Sequence, residues 1–335
     1  MKRSACAILL ASLPLAGCQG WQSALDAHGP AARALADMFW IFTGVLTVVW
    51  LATMIAVWIA VRHKRPTPTG PMLALNPASE RRMGIVVASF VGLTLVIVLG
   101  LTALSYGGQK ALFSNRDGAI TIKVVGHQWW WEFVYEDPNT NRSFTTANEM
   151  HIPVGTPVLL KLESADVIHS FWVPNLTGKL DNIPGRQNQL VIQADREGVY
   201  RGQCAEFCGL QHAHMGLLVM ADSKDTFERW RDQQVASATP PSDPERQRGM
   251  ELFVTKPCVM CHTIRGTDAG GRVGPDLTHV GSRRYIAAGT LETTRGNVAA
   301  WIVDPHGVKP GVNMPTVPLN PDEVQPIAAY LEGLK

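Results

Sequence analysis

Residues 203–215 read QCAEFCGLQHAHM: two cysteines, a glutamate, two histidines and a methionine within thirteen positions. Neither a hydrophobic core nor a solvated surface requires that set. Thiolates, imidazoles and a thioether are soft or borderline donors, and together they favour copper over magnesium or calcium. A mononuclear blue-copper site uses one cysteine. Here Cys204 and Cys208 stand four apart, His212 and Met215 follow in the same loop, and His169 lies upstream in VIHSFW. Those donors suffice for two copper ions bridged by both sulfurs. Structural zinc is an alternative, although it seldom recruits methionine, and a Cys204–Cys208 disulfide is another.

Around this loop the sequence is β-rich. Between residues 119 and 235, runs such as AITIKVVGHQWWWEFVY, TPVLLKLES, NQLVIQA and HMGLLVMA are separated by the turn signals DPNTN, PVGTP and NIPGR. The pattern predicts an all-β sandwich or barrel, closed by the helical stretch SKDTFERWRDQQV. Residues 236–244, ASATPPSDP, read as a solvent-exposed linker, and 245–335 as a second, mostly helical unit. No Lys/Arg stripe accompanies the formal net charge of +2, so no nucleic-acid partner is expected.

Upstream lie two charge-free runs, Met38–Val61 and Met83–Tyr106. At about 1.5 Å per residue each reaches roughly 36 Å, enough to cross a bilayer core. They predict a transmembrane hairpin over residues 30–110, with helices at about 38–61 and 83–106. Arg62, Lys64, Arg65, Arg81 and Arg82 make the connecting loop cytoplasmic, so both chain ends lie on the opposite side. Residues 1–18 have signal-peptide anatomy: Lys2 and Arg3, an apolar run, then LAGC. That ending resembles a bacterial lipobox, which would make Cys18 the lipidated first residue; an ordinary signal peptide or an uncleaved anchor are the alternatives.

In the C-terminal unit, CVMCH is the c-type haem attachment signature, in which Cys258 and Cys261 take the vinyl groups and His262 ligates iron. The second axial ligand is expected well downstream in a loop. PGVNMPTVP places Met314 there; Met260 lies inside the motif itself, and His279 and His306 are weaker alternatives.

CAEFCGLQHAHM, ADVIHSFWVPNLTGKLDNIPGR and GHQWWWEFVY together resemble cytochrome c oxidase subunit II, and the likeness covers roughly residues 30–235. The resemblance implies that Cys204 and Cys208 bridge a dinuclear copper (CuA) centre, that His169 and His212 each ligate one copper, and that Met215 is a weak ligand. It implies that Glu206 contributes its backbone carbonyl to copper and its carboxylate to a magnesium site shared with subunit I. Of the run Trp129-Trp130-Trp131, at least one ring is expected at the surface; the resemblance assigns Trp129 to electron uptake, while core packing is the plain alternative. His127, His151 and His214 have no place in the pattern and are read as structural. Glu80 stands where the family often carries a proton-channel glutamate, but the Trp-Thr pair that follows there is missing, and a solvated role beside Arg81 and Arg82 fits equally.

The C-terminal unit resembles class I cytochromes c in its Met-Pro loop, in GPDLTHVGSR and in a final helix expected to pack on RQRGMELF, with Gly249 allowing close approach. The whole chain is thus similar to subunit II of a caa-type oxidase: a transmembrane hairpin, a cupredoxin-like Greek-key domain and an all-α class I cytochrome c domain. The implied function is electron transfer from a donor through haem c and CuA to haem a in subunit I, for reduction of oxygen coupled to proton pumping. The implied partners are subunit I, the other oxidase subunits, cytochrome c or another donor, and membrane lipid. The implied location is the cytoplasmic membrane, with both cofactor domains on its periplasmic side. A copper-delivery lipoprotein, or an electron-transfer subunit of another reductase such as nitrous oxide reductase, are the rival readings.

Overall fold

A computed structural model describes residues 19–63, 76–112 and 120–335. The signal-peptide and lipobox reading, with Cys18, lies outside the described residues, as do Lys64 and Arg65. The long helices form one unit and the rest of the chain another.

Helix α1 spans Pro30–Arg62 and α2 spans Pro77–Leu112. Both outrun the apolar runs that predicted them, because hydropathy marks only what must sit in hydrocarbon while the helical ladder continues into polar flanks. Their most apolar 18-residue stretches have mean hydropathies of 2.3 and 2.6, and no side chain in those stretches is buried, which suits helices whose solvent is lipid. The hydroxyls of Thr53, Ser89, Thr94 and Thr102 each donate to the carbonyl four residues back, so none is left unpaired in hydrocarbon. Glu80 is an exposed residue in the first turn of α2.

The β domain is a sandwich of two five-stranded sheets. The first contains β1 (Ile120–His127), β2 (Trp130–Glu136), β3 (Phe144–Ala147), β5 (Val158–Ser164) and β8 (Asn188–Ile192), in the order β3-β2-β1-β5-β8. The second contains β4 (Glu149–Pro153), β6 (His169–Trp172), β7 (Leu180–Asn182), β9 (Gly198–Cys204) and β10 (Gly216–Asp222), in the order β4-β10-β9-β6-β7. Pairings β1–β5 and β4–β10 are parallel, so the chain crosses to the other sheet between these partners instead of turning back as a hairpin. Alternation puts Trp131, Phe133 and Tyr135 of β2 and Val158, Leu160 and Leu162 of β5 into one core between the layers. The chain changes sheet at Asn148, between β3 and β4, where φ is +62°. Asparagine tolerates that conformation, and its side-chain oxygen accepts the Trp131 amide at 2.9 Å. Helix α3 (Lys224–Val235) closes the sandwich with Phe227 buried.

In the C-terminal unit, α4 (Pro244–Thr255) is capped by the Asp243 carboxylate and α8 (Pro321–Gly333) by an Asn320/Glu323 capping box. The two cross at Gly249, where a Cβ would stand 2.0 Å from the Pro326 carbonyl oxygen, as the predicted close approach requires. Between them lie α5 (Cys258–Cys261), α6 (Arg295–Val303) and α7 (Pro305–Val308), together with a two-residue hairpin, β11 (Tyr285–Ile286) and β12 (Leu291–Glu292), that helical patterning does not reveal. The predicted linker is less free than its composition suggests. The Ala238 amide donates to the Arg265 carbonyl and the His279 ring bonds the Ala236 carbonyl, tying the stretch to the C-terminal unit although most of its side chains are exposed.

Candidate metal centre

The copper loop is built by strand pairing. Strands β6 and β9 are antiparallel neighbours with Phe171 opposite Cys204, which sets His169 beside the end of β9. The chain then leaves the sheet, makes a single 3-10 turn at His212–His214 and re-enters as β10 at Gly216. The Cys204 amide donating to the Met215 carbonyl at 3.0 Å closes the loop on itself.

Six of the sequence-predicted residues converge there. The Cys204 and Cys208 sulfurs are 3.8 Å apart, both free and both buried. His169 Nδ1 stands 3.9 Å from the Cys204 sulfur, and His212 Nδ1 stands 3.6 Å from the Cys208 sulfur, one imidazole to each cysteine. Met215 Sδ lies 3.8 Å from Cys208, and the Glu206 carbonyl oxygen lies 3.2 Å from Cys204. Donor atoms of His169, Cys204 and Cys208 all fall within 4.8 Å of one another. This is a soft, two-sulfur set with Cys204, Cys208, His169 and Met215 buried and one imidazole beside each sulfur, and it fits two copper ions better than one zinc ion. The Glu206 carboxylate points elsewhere, to Lys179 at 3.6 Å.

Several supporting residues lie outside the loop. Gly126 on β1 passes so close to the His169 ring that a Cβ would stand 2.7 Å from it. Asp166 holds that ring from behind, its Oδ1 at 2.8 Å from His169 Nε2, and its Oδ2 accepts the Gln128 amide at 2.6 Å. The arrangement frees Nδ1 for metal and fixes the ring plane. Gln128 Nε2 and Trp129 Nε1 both donate to the Cys208 carbonyl, at 2.8 and 2.9 Å. Asp166, Gly126, Gln128 and Trp129 lie in the segments ADVIHSFW and GHQWWWEFVY, but spacing does not show which ring or carbonyl each supports.

The electrostatics favour a thiolate. The hydrogen bond with Cys208, helped by His169 and two backbone groups, outweighs burial and brings Cys204 down to about 3. The same sulfur–sulfur hydrogen bond, with burial, pushes Cys208 up, so one proton serves both. Burial depresses His169, but its hydrogen bonds with Asp166 and Cys204 more than compensate and raise it.

The tryptophan run divides three ways. Trp129 lies in the turn between β1 and β2 and is only 6% exposed, so it is not an open surface ring. Trp131 is fully buried, and Trp130 is the half-exposed member, stacked on His127 at 4.2 Å. The histidines read as structural have protein partners: His127 meets Glu132, His151 meets Asp222 and Glu149, and His214 meets Gln211.

At the second site, Cys258 and Cys261 sit on one helical turn as free, half-buried thiols. His262 Nδ1 bonds the Pro275 carbonyl at 2.8 Å, leaving Nε2 for iron, and burial lowers its proton affinity. Gly274 makes room for the ring, since a Cβ there would be 2.7 Å from it. Two thiols one turn apart beside an imidazole with a fixed tautomer fit a covalently held haem. Met314 lies in the irregular stretch before α8; His279 is committed to Ala236, which weakens it as an axial alternative.

Comparison with known proteins adds independent support. Residues 137–222 match the family described as cytochrome c oxidase subunit II, periplasmic domain, and residues 247–335 match the cytochrome c family. The chain is 33% identical over 334 residues to cytochrome c oxidase subunit 2 of Alkalihalophilus pseudofirmus, covering 97% of this chain and 94% of that protein. It is 30% identical over 350 residues to the Bacillus subtilis subunit, covering 98% and 97%. Among solved structures, the periplasmic domain of subunit II (CoxB) of Bradyrhizobium japonicum aligns at 33% identity and a TM-score of 0.32, covering 34% of this chain and 92% of that one. Full-length likeness at this level, with a copper-suited loop and a haem-attachment motif in the matched regions, makes the chain a member of the cytochrome c oxidase subunit II family with a cytochrome c domain fused to its C-terminus.

Proposed function

We propose that the chain serves its oxidase by accepting electrons from an external donor at its C-terminal unit and delivering them through its β domain to subunit I. When bound, haem c and the copper pair supply the one-electron couples of this relay, which ends at haem a and serves reduction of oxygen to water with proton pumping. The observation that carries the reading is the pairing of two buried cysteine sulfurs with one imidazole each.

In this reading Cys204 and Cys208, with one imidazole each from His169 and His212, would hold the two coppers, and Met215 and the Glu206 carbonyl would complete the set. Cys258 and Cys261 would hold the haem covalently, and His262 and Met314 would supply its iron ligands. Asp166 and Gly126 fix the His169 ring. Gln128 and Trp129 fix the Cys208 carbonyl, so Trp129 acts from inside the protein rather than as an open port. Phe207 and Leu210, 77% and 79% exposed on the copper loop, form an apolar rim suited to a subunit I contact. The Glu206 carboxylate, paired here only with solvent-facing Lys179, would give half of a magnesium site completed by subunit I. Cytochrome c, or another small redox protein, is the proposed donor. Cys18 is the proposed lipid anchor, adding membrane hold to the two helices.

The test is metal content and spin resonance on the full chain in detergent. Two coppers and one covalent haem per chain are expected, with the unpaired electron shared equally by two copper nuclei. One copper with a single-nucleus hyperfine pattern overturns the dinuclear assignment.

A further inference from the structure

The composition of residues 236–244 suggests two domains joined by a tether, yet the contacts between the domains describe a dock. Lys309 belongs to the C-terminal unit, and its side chain is fully buried. Its Nζ donates to the carbonyls of Trp129 and His214 in the β domain, both at 2.9 Å, and to Ala287 of its own unit at 3.3 Å. No carboxylate pairs with it among the described residues. An ammonium is costly to bury without partners, and here three carbonyl dipoles converge to accept it.

The backbone around the plug is bent to suit it. Ala287 and Ala288 both have left-handed φ, +51° and +57°, a conformation unfavourable for any residue with a Cβ. Both carbonyls presented by this turn are used at the dock: Ala287 accepts Lys309, and Ala288 accepts the Gly216 amide of β10 at 3.0 Å. A strained turn kept at a contact points to a role for the contact. Four residues beyond Lys309, Asn313 Nδ2 donates to the Gln128 carbonyl at 3.0 Å. Gln128 in turn donates to the Cys208 carbonyl, so two hydrogen bonds link the neighbour of Met314 to the neighbourhood of the copper loop.

We propose that Lys309 and Asn313 are positioning residues that lock the C-terminal unit onto the Gln128–Trp129 corner, holding the Met314 loop and the copper loop in one fixed register. The corner is thereby occupied by the chain's own haem unit, and an external protein donor meets that unit instead. The functional meaning rests on the ligand assignments proposed above; the dock itself does not.

Hydrogen exchange on the full chain, loaded with haem and copper, tests this directly. The amides of Gly216 and Arg284 report across the dock, since their acceptors, the Ala288 carbonyl and the Glu149 carboxylate, lie on the other domain. Lys309→Met should speed exchange at both by about tenfold or more, and Asn313→Ala by several-fold, with α8 still protected. In the same samples, electron transfer from covalent haem to copper should slow by about tenfold or more at unchanged copper and haem content. If Lys309→Met also exposes α8, it has unfolded the unit, and Asn313→Ala, which removes an exposed side chain, decides. Unchanged exchange in every variant that keeps α8 protected, or unchanged transfer in a variant whose amides are freed, overturns the proposal. Missing copper in the parent protein would instead overturn the ligand assignments and leave the dock standing on its exchange pattern.

Discussion

The molecule holds two close cysteine pairs, and they are opposite in character. Cys204 ends strand β9 and Cys208 lies in the loop that follows, both buried, with their sulfurs sharing a proton and Cys204 brought down to about 3. Cys258 and Cys261 lie on a regular helical turn, half-buried, and burial pushes the Cys258 thiol up. A metal needs thiolates already gathered around it, so the first pair is preorganised by hydrogen bonds and by the sheets on either side. A covalently attached group needs thiols accessible to the attachment reaction, and its bonds hold it afterwards. The same residue type is thus held in two environments, one suited to coordinating a metal and the other to covalent attachment.

The comparison breaks most sharply if the pairs are not independent. Cys204→Ser should abolish copper binding, because a hydroxyl is a harder and far weaker ligand than a thiolate, while covalent haem stays at the parent level. Cys258→Ser should do the reverse, cutting covalent haem and sparing the copper spectrum. Metal analysis and haem staining of the purified variants read both, and loss of both cofactors in either variant would sink the two-site description.

A smaller effect tests the preorganisation. Asp166→Asn leaves all six proposed ligands in place but weakens the hold on His169 and on the Gln128 amide. Copper affinity should fall by about 10- to 100-fold, with stoichiometry intact at saturating metal. Competition against a chelator measures it, and parent-like affinity would mean that the sheet alone orients the ring.

The smallest effect lies away from both pairs. Burial depresses His151, but hydrogen bonds with Asp222 and Glu149 outweigh it, so its proton affinity is raised in the folded chain. The stability this contributes is fully present below the unfolded value of about 6.5 and is lost as pH rises through the higher folded value. His151→Gln should therefore cost more thermal stability near pH 5.5 than near pH 9, with copper and haem unaffected. Equal costs at both values would remove the charged histidine from the account.

Legibility differs between regions for the same physical reason. The candidate copper ligands Cys204, Glu206, Cys208, His212 and Met215 fall within thirteen residues, so spacing alone gathers them. His169 was legible only through its segment, and its position beside Cys204 comes from the β6–β9 register. The apolar runs announced both long helices but not their ends, since the ladder continues where hydrophobicity stops. Alternation expects at least one ring of the run at the surface, and Trp130 is the half-exposed one; Trp129, which the resemblance assigns to electron uptake, sits in a turn and is buried.

The sequence by itself determined the two apolar helices, the β character of the middle region, the candidate copper donors and the haem-attachment motif, because each is written in local spacing and composition. Only the tertiary structure decided which groups support those donors: Asp166 behind His169, Gly126 against its ring, Gln128 and Trp129 on the Cys208 carbonyl. It alone also revealed Lys309 reaching 180 residues back along the chain to the Trp129 carbonyl. Such contacts join positions far apart in sequence through backbone carbonyls, which every residue possesses, so no pattern of side chains can announce them.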